Sequence, residues 1–448
     1  MIPYIPNTKD DQKKMLEEIG VESINDLFES IPPHLRLKTE VNLPSSLSEM
    51  ELIGRLRGLS KKNVSLDEYI SFLGAGSYDH FIPTVVDHLS NRAEFYTSYT
   101  PYQAEASQGT LQAIYEYQSL ICNLFKMDVS NASMYDGATA LAEAVILAYN
   151  VNHRQKVLVS KTIHPEYRQV LTTYVEKTLG LSIIEINYRN GITDLTELEE
   201  KIDEDTSCVV VQNPNFFGCL EEVKEIEKIV HKFGSLYIVS VDPISLGLLI
   251  PPGDYNVDVA VGEGQALGNH LNFGGPYLGI FTCKKEFLRK VPGRVVGETT
   301  DKKGKKGFVL TLQTREQHIR RERATSNICT NHNLNALRAA IYLSILGEEG
   351  LKEVANLCLQ KSHYAAERIC QISGFELSFT SSFLKEFSVK CPVSSHKINK
   401  LLWENKIIGG FDLGKFYPEL RDCLLFCVTE KRTKGEIDKL TSLLEKMV

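Results

Sequence analysis

The chain has 448 residues, of which 24% are charged and 43% hydrophobic. That balance is too apolar for a disordered chain and too charged for a membrane protein, and the length predicts two or three domains. With 50 basic residues against 57 acidic and a net charge of -7, a broad nucleic-acid surface is not expected. No long uncharged apolar run suggests a transmembrane helix. The first residues, Met1-Ile-Pro-Tyr-Ile-Pro, lack the basic-then-apolar order of a secretory leader. Ten cysteines are scattered from Cys122 to Cys427 without a CxxC. Reduced thiols and a cytoplasmic location are expected.

Residues 1–60 mix polar and apolar side chains at helical spacing, broken at Ile31-Pro-Pro and Leu43-Pro-Ser-Ser. They read as an N-terminal helical arm. Leu111, Ile114, Ile121, Leu124 and Phe125 then mark a helix over 109–125, and Met134-Tyr-Asp-Gly-Ala-Thr opens another over 140–149. Short apolar runs at 156–160, 182–186, 208–212 and 236–242 alternate with helices near 166–179, 195–202 and 221–233. Strands that are apolar on both faces, alternating with helices, predict a parallel sheet covered on both sides. After a helix near 333–346, strands at 387–390, 407–411 and 424–428 alternate with helices. The expected architecture is an arm (1–60), a large α/β domain (61–330) and a small C-terminal α+β domain (331–448).

Several features converge on one fold. The loop ending in Gly137, Ala138 and Thr139 places small residues at a helix start, where backbone N–H groups and the helix dipole favour an anion. His164 follows the strand at 156–160, and Asp242 ends the strand at 236–241. In pyridoxal-phosphate enzymes of the aspartate-aminotransferase type (fold type I), these positions hold the phosphate, cover the cofactor ring and pair with its pyridinium nitrogen. The large domain is therefore expected to be PLP-dependent transferase-like. The lysine that would bind the cofactor covalently is missing, because no lysine occurs between Lys232 and Lys284. Without an amine no Schiff base forms there, and neither Gln265 nor His270 replaces it. No GxGxxG, P-loop or HExxH pattern occurs, and His80 with His88 lacks companion ligands, so no nucleotide loop or metal site is expected.

Two polar runs stay open at this point. The run 95–109 is dense in hydroxyls and amides, which line a polar pocket or satisfy a buried loop. The run 314–331 carries Arg315, Arg320, Arg321 and Arg323, which form a solvated helix face or contact an anion or partner chain. The tip Lys302-Lys-Gly-Lys-Lys reads as an exposed turn.

Four segments resemble the P-protein family of the glycine cleavage system, in particular the α-type chains of its split, two-chain bacterial form. They are Phe72-Leu-Gly-Ala-Gly-Ser-Tyr-Asp-His-Phe-Ile-Pro, Tyr99-Thr-Pro-Tyr-Gln-Ala-Glu, Gly262-Glu-Gly-Gln-Ala-Leu-Gly-Asn and Leu310-Thr-Leu-Gln-Thr-Arg-Glu-Gln-His-Ile-Arg-Arg-Glu. The resemblance spans essentially the whole chain. It implies a subunit of glycine dehydrogenase (decarboxylating) in an α2β2 assembly that is inactive alone. Glycine is the substrate, and its aminomethyl group passes to the lipoyl arm of the H-protein. Pyridoxal phosphate is expected on the β-type partner chain, in agreement with the lysine gap. Tyr99, Tyr102, Gln103 and Glu105 are then expected at a shared interface site. Gly137, Ala138, Thr139, His164 and Asp242 would form a remnant pocket, and Arg315 and Arg320 would face a partner or a substrate carboxylate. The alternatives are a self-sufficient aminotransferase- or desulfurase-like enzyme with its lysine elsewhere, and a purely structural partner subunit.

Overall fold

The computed structural model describes residues 6–39, 41–272 and 274–448. Part of the expected arm, Met1–Ile5 and Glu40, lies outside the described residues. The chain divides into two compact units, Met1–Val64 and Ser65–Val448.

The first unit carries helices α1 (Lys9–Ile19) and α2 (Glu49–Ser60). Each starts with a reciprocal cap, Thr8 with Asp11 and Ser48 with Glu51, in which side chains accept otherwise orphaned N–H groups. Neither helix has a buried residue, and Met15, Ile19, Leu52 and Leu56 are exposed.

The second unit is built on a seven-stranded sheet. In chain order the strands are β1 (Val129–Ser130), β2 (Lys156–Ser160), β3 (Ser182–Ile186), β4 (Thr206–Asn213), β5 (Leu236–Val241), β6 (Val259–Glu263) and β7 (Gly279–Cys283). Their spatial order is β1-β7-β6-β5-β4-β2-β3. The pairs from β3 through β6 are parallel, whereas β7 is antiparallel to β6 and β1 to β7. The antiparallel edge was not legible, because β1 has only two residues and β7 looks like any apolar run.

Period-two alternation divides the strand residues between two cores. Leu158, Val209, Val211, Tyr237, Val239 and Val241 face one side, packed with α3 (Gln108–Phe125), α7 (Val223–Lys232) and α8 (Asn333–Cys370). Val157, Val159, Val210, Ile238 and Val261 face the other, against α4 (Gly137–Asn152) and α5 (Pro165–Leu171). Between them, α6 (Leu195–Lys201) links β3 to β4. Each fully buried aliphatic side chain contributes about 1.5–3 kcal/mol, so this double core anchors the strand ends. The expected helix at 166–179 continues past α5 as a π-turn over Thr172–Glu176. The basic tip is the turn of a hairpin, β8 (Val295–Thr300) with β9 (Lys306–Thr311).

Helix α8 runs well beyond the expected 346, kinked at Gly347 (φ 60°). It leads to a four-stranded antiparallel sheet of β10 (Glu376–Leu377), β11 (Glu386–Lys390), β12 (Phe411–Asp412) and β13 (Cys423–Cys427), ordered β10-β11-β13-β12. Helices α9 (Ser395–Glu404) and α10 (Lys434–Leu444) supply Ile398, Leu402, Ile437 and Leu440 to its core. All ten cysteines are free. Among the described residues no helix is long and apolar enough to cross a membrane.

Candidate active site

Open α/β sheets bind ligands at the carboxyl ends of their parallel strands. Val241 of β5 pairs with Gly262 of β6, so Asp242 and Glu263 stand side by side where these strands end. Glu263 lies opposite Gly279 of β7, and Gly279 is bridged to Met134. This sequence of neighbours brings the start of α4 to the same edge.

Asp136 caps α4 by accepting the Thr139 N–H at 2.8 Å, while the Thr139 hydroxyl is held by Asp136 in return. Ala138 is buried. The Gly137 N–H donates to Glu263 Oε2 at 3.0 Å, and Glu263 Oε1 accepts the N–H groups of Gln265 and Leu278, both at 3.0 Å. Burial pushes the Glu263 carboxyl up to about 8, against these three donors. A Cβ at position 137 would come within 2.6 Å of the Tyr167 hydroxyl and 3.1 Å of the Glu263 amide. Only glycine lets the helix start approach so closely.

Asp242 does not stand free at the other end. Lys385, from the turn into β11 and 3% exposed, places its ammonium 2.7 Å from Asp242 Oδ2. Burial opposes the lysine's charge, but the surrounding groups, Asp242 first among them, together raise the pKa above the ordinary value. The same ammonium lies 3.5 Å from the centre of the Tyr78 ring, a cation–π contact, and 3.2 Å from His80 Nε2. Glu386 accepts the Ala75 N–H at 2.7 Å and the Tyr78 hydroxyl at 2.8 Å, and burial raises its carboxyl to about 7.

His164 has both ring nitrogens engaged. Nδ1 accepts the Glu166 N–H at 3.2 Å, so Nε2 carries the proton and donates to the Ala75 carbonyl at 2.9 Å. Desolvation lowers its pKa, which keeps the ring neutral. The ring stacks on Tyr167 with 4.8 Å between centroids.

Gly137, His164 and Asp242 thus lie at the carboxyl ends of the parallel strands, but the space there is filled. The space left among Gly76, Tyr78, His164, Asp242 and Glu263 is about 30 Å³, against the roughly 300 Å³ or more of a ligand pocket. These residues do not fit pyridoxal phosphate. The lysine present sits at the Asp242 end, where a ring nitrogen would be, and not where it could form a Schiff base with the aldehyde.

A second cluster gathers on the surface. Tyr99 is 86% exposed, and Gln103 and Glu105 are exposed on the loop before α3. Tyr102 is tied down: its hydroxyl accepts from Arg294 Nη2 at 3.0 Å, and its ring meets the His318 ring at 5.6 Å. Arg294 also holds the Cys329 carbonyl, Thr330 and Asn331, so the tyrosine-rich loop is joined to the arginine-rich segment. Within that segment Arg320 is exposed. Arg315 is not. It is buried, and its guanidinium donates to the main-chain carbonyls of Val291, Gly293 and Leu312. In this chain the fold uses Arg315 as an internal clamp, in place of the outward-facing role expected for it.

His80, Cys358 and Glu430 converge, with His80 Nδ1 2.6 Å from Glu430 Oε2. The other ring nitrogen, Nε2, faces the Lys385 ammonium at 3.2 Å, so both nitrogens of His80 already have partners within the chain.

Over residues 3–444 the chain matches the family described as glycine cleavage system P-protein. The chain belongs to that family. It is 53% identical over 439 residues to a probable glycine dehydrogenase (decarboxylating) subunit 1 of Desulfitobacterium hafniense, covering 98% of each chain. A crystal structure of glycine decarboxylase (P-protein) of the glycine cleavage system, in inhibitor-bound form, superposes with a TM-score of 0.93. Its identity is 41%, and both chains are covered completely. A C-DES variant with glycine covalently linked to its PLP cofactor superposes at 0.63 with 17% identity, over 85% of this chain and 97% of that one. That likeness shows the fold alone: the P-protein chain has the fold of pyridoxal-phosphate-dependent enzymes of fold type I.

Sequence reading of this P-protein chain overlooked Lys385, Glu263 and Tyr78. Lys385 and Glu386 interrupt the apolar run Phe383-Leu384-Lys385-Glu386-Phe387. Two adjacent charges inside such a run need buried partners, and that signal was available. Glu263 sits within a quoted family motif, but only the fold places it against Gly137.

Proposed function

We propose that this chain is the first of two dissimilar subunits of glycine dehydrogenase (decarboxylating), and that it is inactive alone. Full-length similarity to a relative of that name, combined with a pocket that has neither a Schiff-base lysine nor room, supports the reading. In it, pyridoxal phosphate belongs to the partner chain of an α2β2 assembly, where it supplies the electron sink for loss of carbon dioxide from glycine. The aminomethyl group then leaves on the lipoyl arm of the H-protein.

This chain contributes a surface to the shared site. Tyr99, Tyr102, Gln103 and Glu105 offer hydroxyl, amide and carboxylate groups on one loop, and the Arg294 clamp on Tyr102 limits the movement of that loop. An exposed guanidinium such as Arg320 matches a carboxylate in two parallel hydrogen bonds. The loop's role is to orient the reacting groups and exclude water at the junction.

The test is exchange of labelled bicarbonate into the glycine carboxyl group, with each chain alone and both together in the presence of H-protein. Exchange only with both chains is expected. Full-rate exchange by the partner chain without this one would overturn the reading.

A further inference from the structure

We propose that this chain fills its own cofactor pocket: Lys385 takes the place of a pyridinium N–H on Asp242, and the Glu263 carboxyl takes the place of a phosphate at the start of α4. The pocket then takes up no free pyridoxal phosphate and serves as a lock between the C-terminal sheet and the large sheet. The inference deepens the reading that the cofactor lies on the partner chain, and it rests on that reading.

A pocket of this fold has an acidic end that wants a cationic N–H and an amide-rich end that wants an anion. Both ends are retained here and both are occupied from within. The ammonium stands 2.7 Å from Asp242, and the carboxyl accepts three main-chain N–H groups, one of them from Gly137. Between the ends the Gly74–His80 segment closes the space. Gly76 comes so near the His164 ring that a Cβ there would lie 3.1 Å from it, and Tyr78 lies beneath the Lys385 ammonium. Nothing of cofactor size fits in the 30 Å³ that remains.

Lys385 lies in the turn into β11 of the C-terminal sheet, whereas Asp242 directly follows β5 and Glu263 ends β6 of the large one. Of the contacts that fill the pocket, the Lys385–Asp242 pair crosses between the two and ties the start of β11 to the end of β5. Gly218, just beyond β4, adds a backbone contact, because a Cβ there would lie 2.0 Å from the Glu386 carbonyl oxygen.

The intact chain is titrated by calorimetry with pyridoxine 5′-phosphate, which lacks the aldehyde and so cannot label surface lysines. Wild type and the double variant Lys385→Ala/Glu263→Ala are compared, with folding checked by circular dichroism. The wild type should show no saturable binding at millimolar ligand, and the folded double variant should bind at least tenfold more tightly. Saturation of the wild type at one micromolar-affinity site per chain would overturn both the inference and the placement of the cofactor on the partner. A folded double variant with no gain would overturn the inference alone. Where the double variant does not fold, acetylation of native wild-type lysines decides. Lys385 should react at least tenfold more slowly than Lys302 and Lys303, and equal rates would overturn the proposal.

Discussion

At the scale of single residues, the Asp242–Lys385 pair carries the largest energetic consequence. Breaking a buried ion pair on one side leaves an uncompensated charge and costs about 3–5 kcal/mol, whereas replacing both partners by neutral groups can cost little. Lys385→Met should therefore destabilise the chain by about 3–5 kcal/mol, and Asp242→Asn combined with it should recover most of that. Denaturant unfolding of the two single variants and the double variant measures the coupling. Tyr99 and Glu105 lie at the opposite extreme. Their side chains are exposed, so Tyr99→Ala and Glu105→Ala should change stability by no more than about 0.5 kcal/mol. If they face the shared site, the assembled enzyme should lose at least tenfold in glycine exchange while assembly persists. Unchanged exchange would reduce the loop to a structural role. Asp242 and His164 were legible in sequence because each follows a recognisable strand by a fixed interval. Lys385 was not, because its partner lies in a distant part of the chain and only tertiary packing joins them.

Among the elements, α4 shows how a local signal becomes part of a site. Its cap is written in Asp136-Gly-Ala-Thr139: a short acceptor, a glycine that admits close approach, and a hydroxyl that closes the reciprocal bond. Asp136→Ala should cost about 1 kcal/mol, read as a lower denaturant midpoint, and should loosen the Gly137–Glu263 contact. The alternating strands and helices of the large sheet were legible for a related reason. Doubly buried strands show as apolar runs, and amphipathic helices show a period near 3.6. Elements whose stability comes from pairing left no such trace. The edge strand β1 has two residues, the β8–β9 hairpin is partly charged, and the 72–80 segment has no regular structure beyond its first bonds. Yet that segment supplies Gly76, Tyr78 and His80 to the pocket. The family motif was visible as a string of residues, but its role in closing the pocket belongs to the three-dimensional arrangement.

For the whole molecule, buried carboxyls set the pH response. Burial raises Glu143 and Glu386 to about 7 and Glu263 to about 8. A carboxyl whose folded pKa exceeds its unfolded one holds its proton longer when folded. Its contribution is complete below the unfolded value near 4.5 and is lost as pH rises through 7 to 8. Glu430 runs the other way. Burial works against its charge, but His80 and nearby N–H groups hold it down to about 2, so its contribution is lost as pH falls below 4.5 toward 2. The thermal midpoint should peak near pH 4.5 to 5 and decline from about pH 5 to 8. Glu143→Gln should flatten that decline, because one fewer proton, worth at most about 1.4 kcal/mol per pH unit, is then released. A midpoint that rises across this range would contradict the assignment.

The central claim, that this chain is a companion whose own pocket is closed to the cofactor, is tested most directly by reduction. The chain alone is incubated with pyridoxal phosphate, reduced with borohydride, and its intact and peptide masses are measured. The account predicts no specific adduct, with any labelling spread at low yield over exposed lysines and none on Lys385. A stoichiometric adduct on one lysine would contradict it and place cofactor chemistry on this chain.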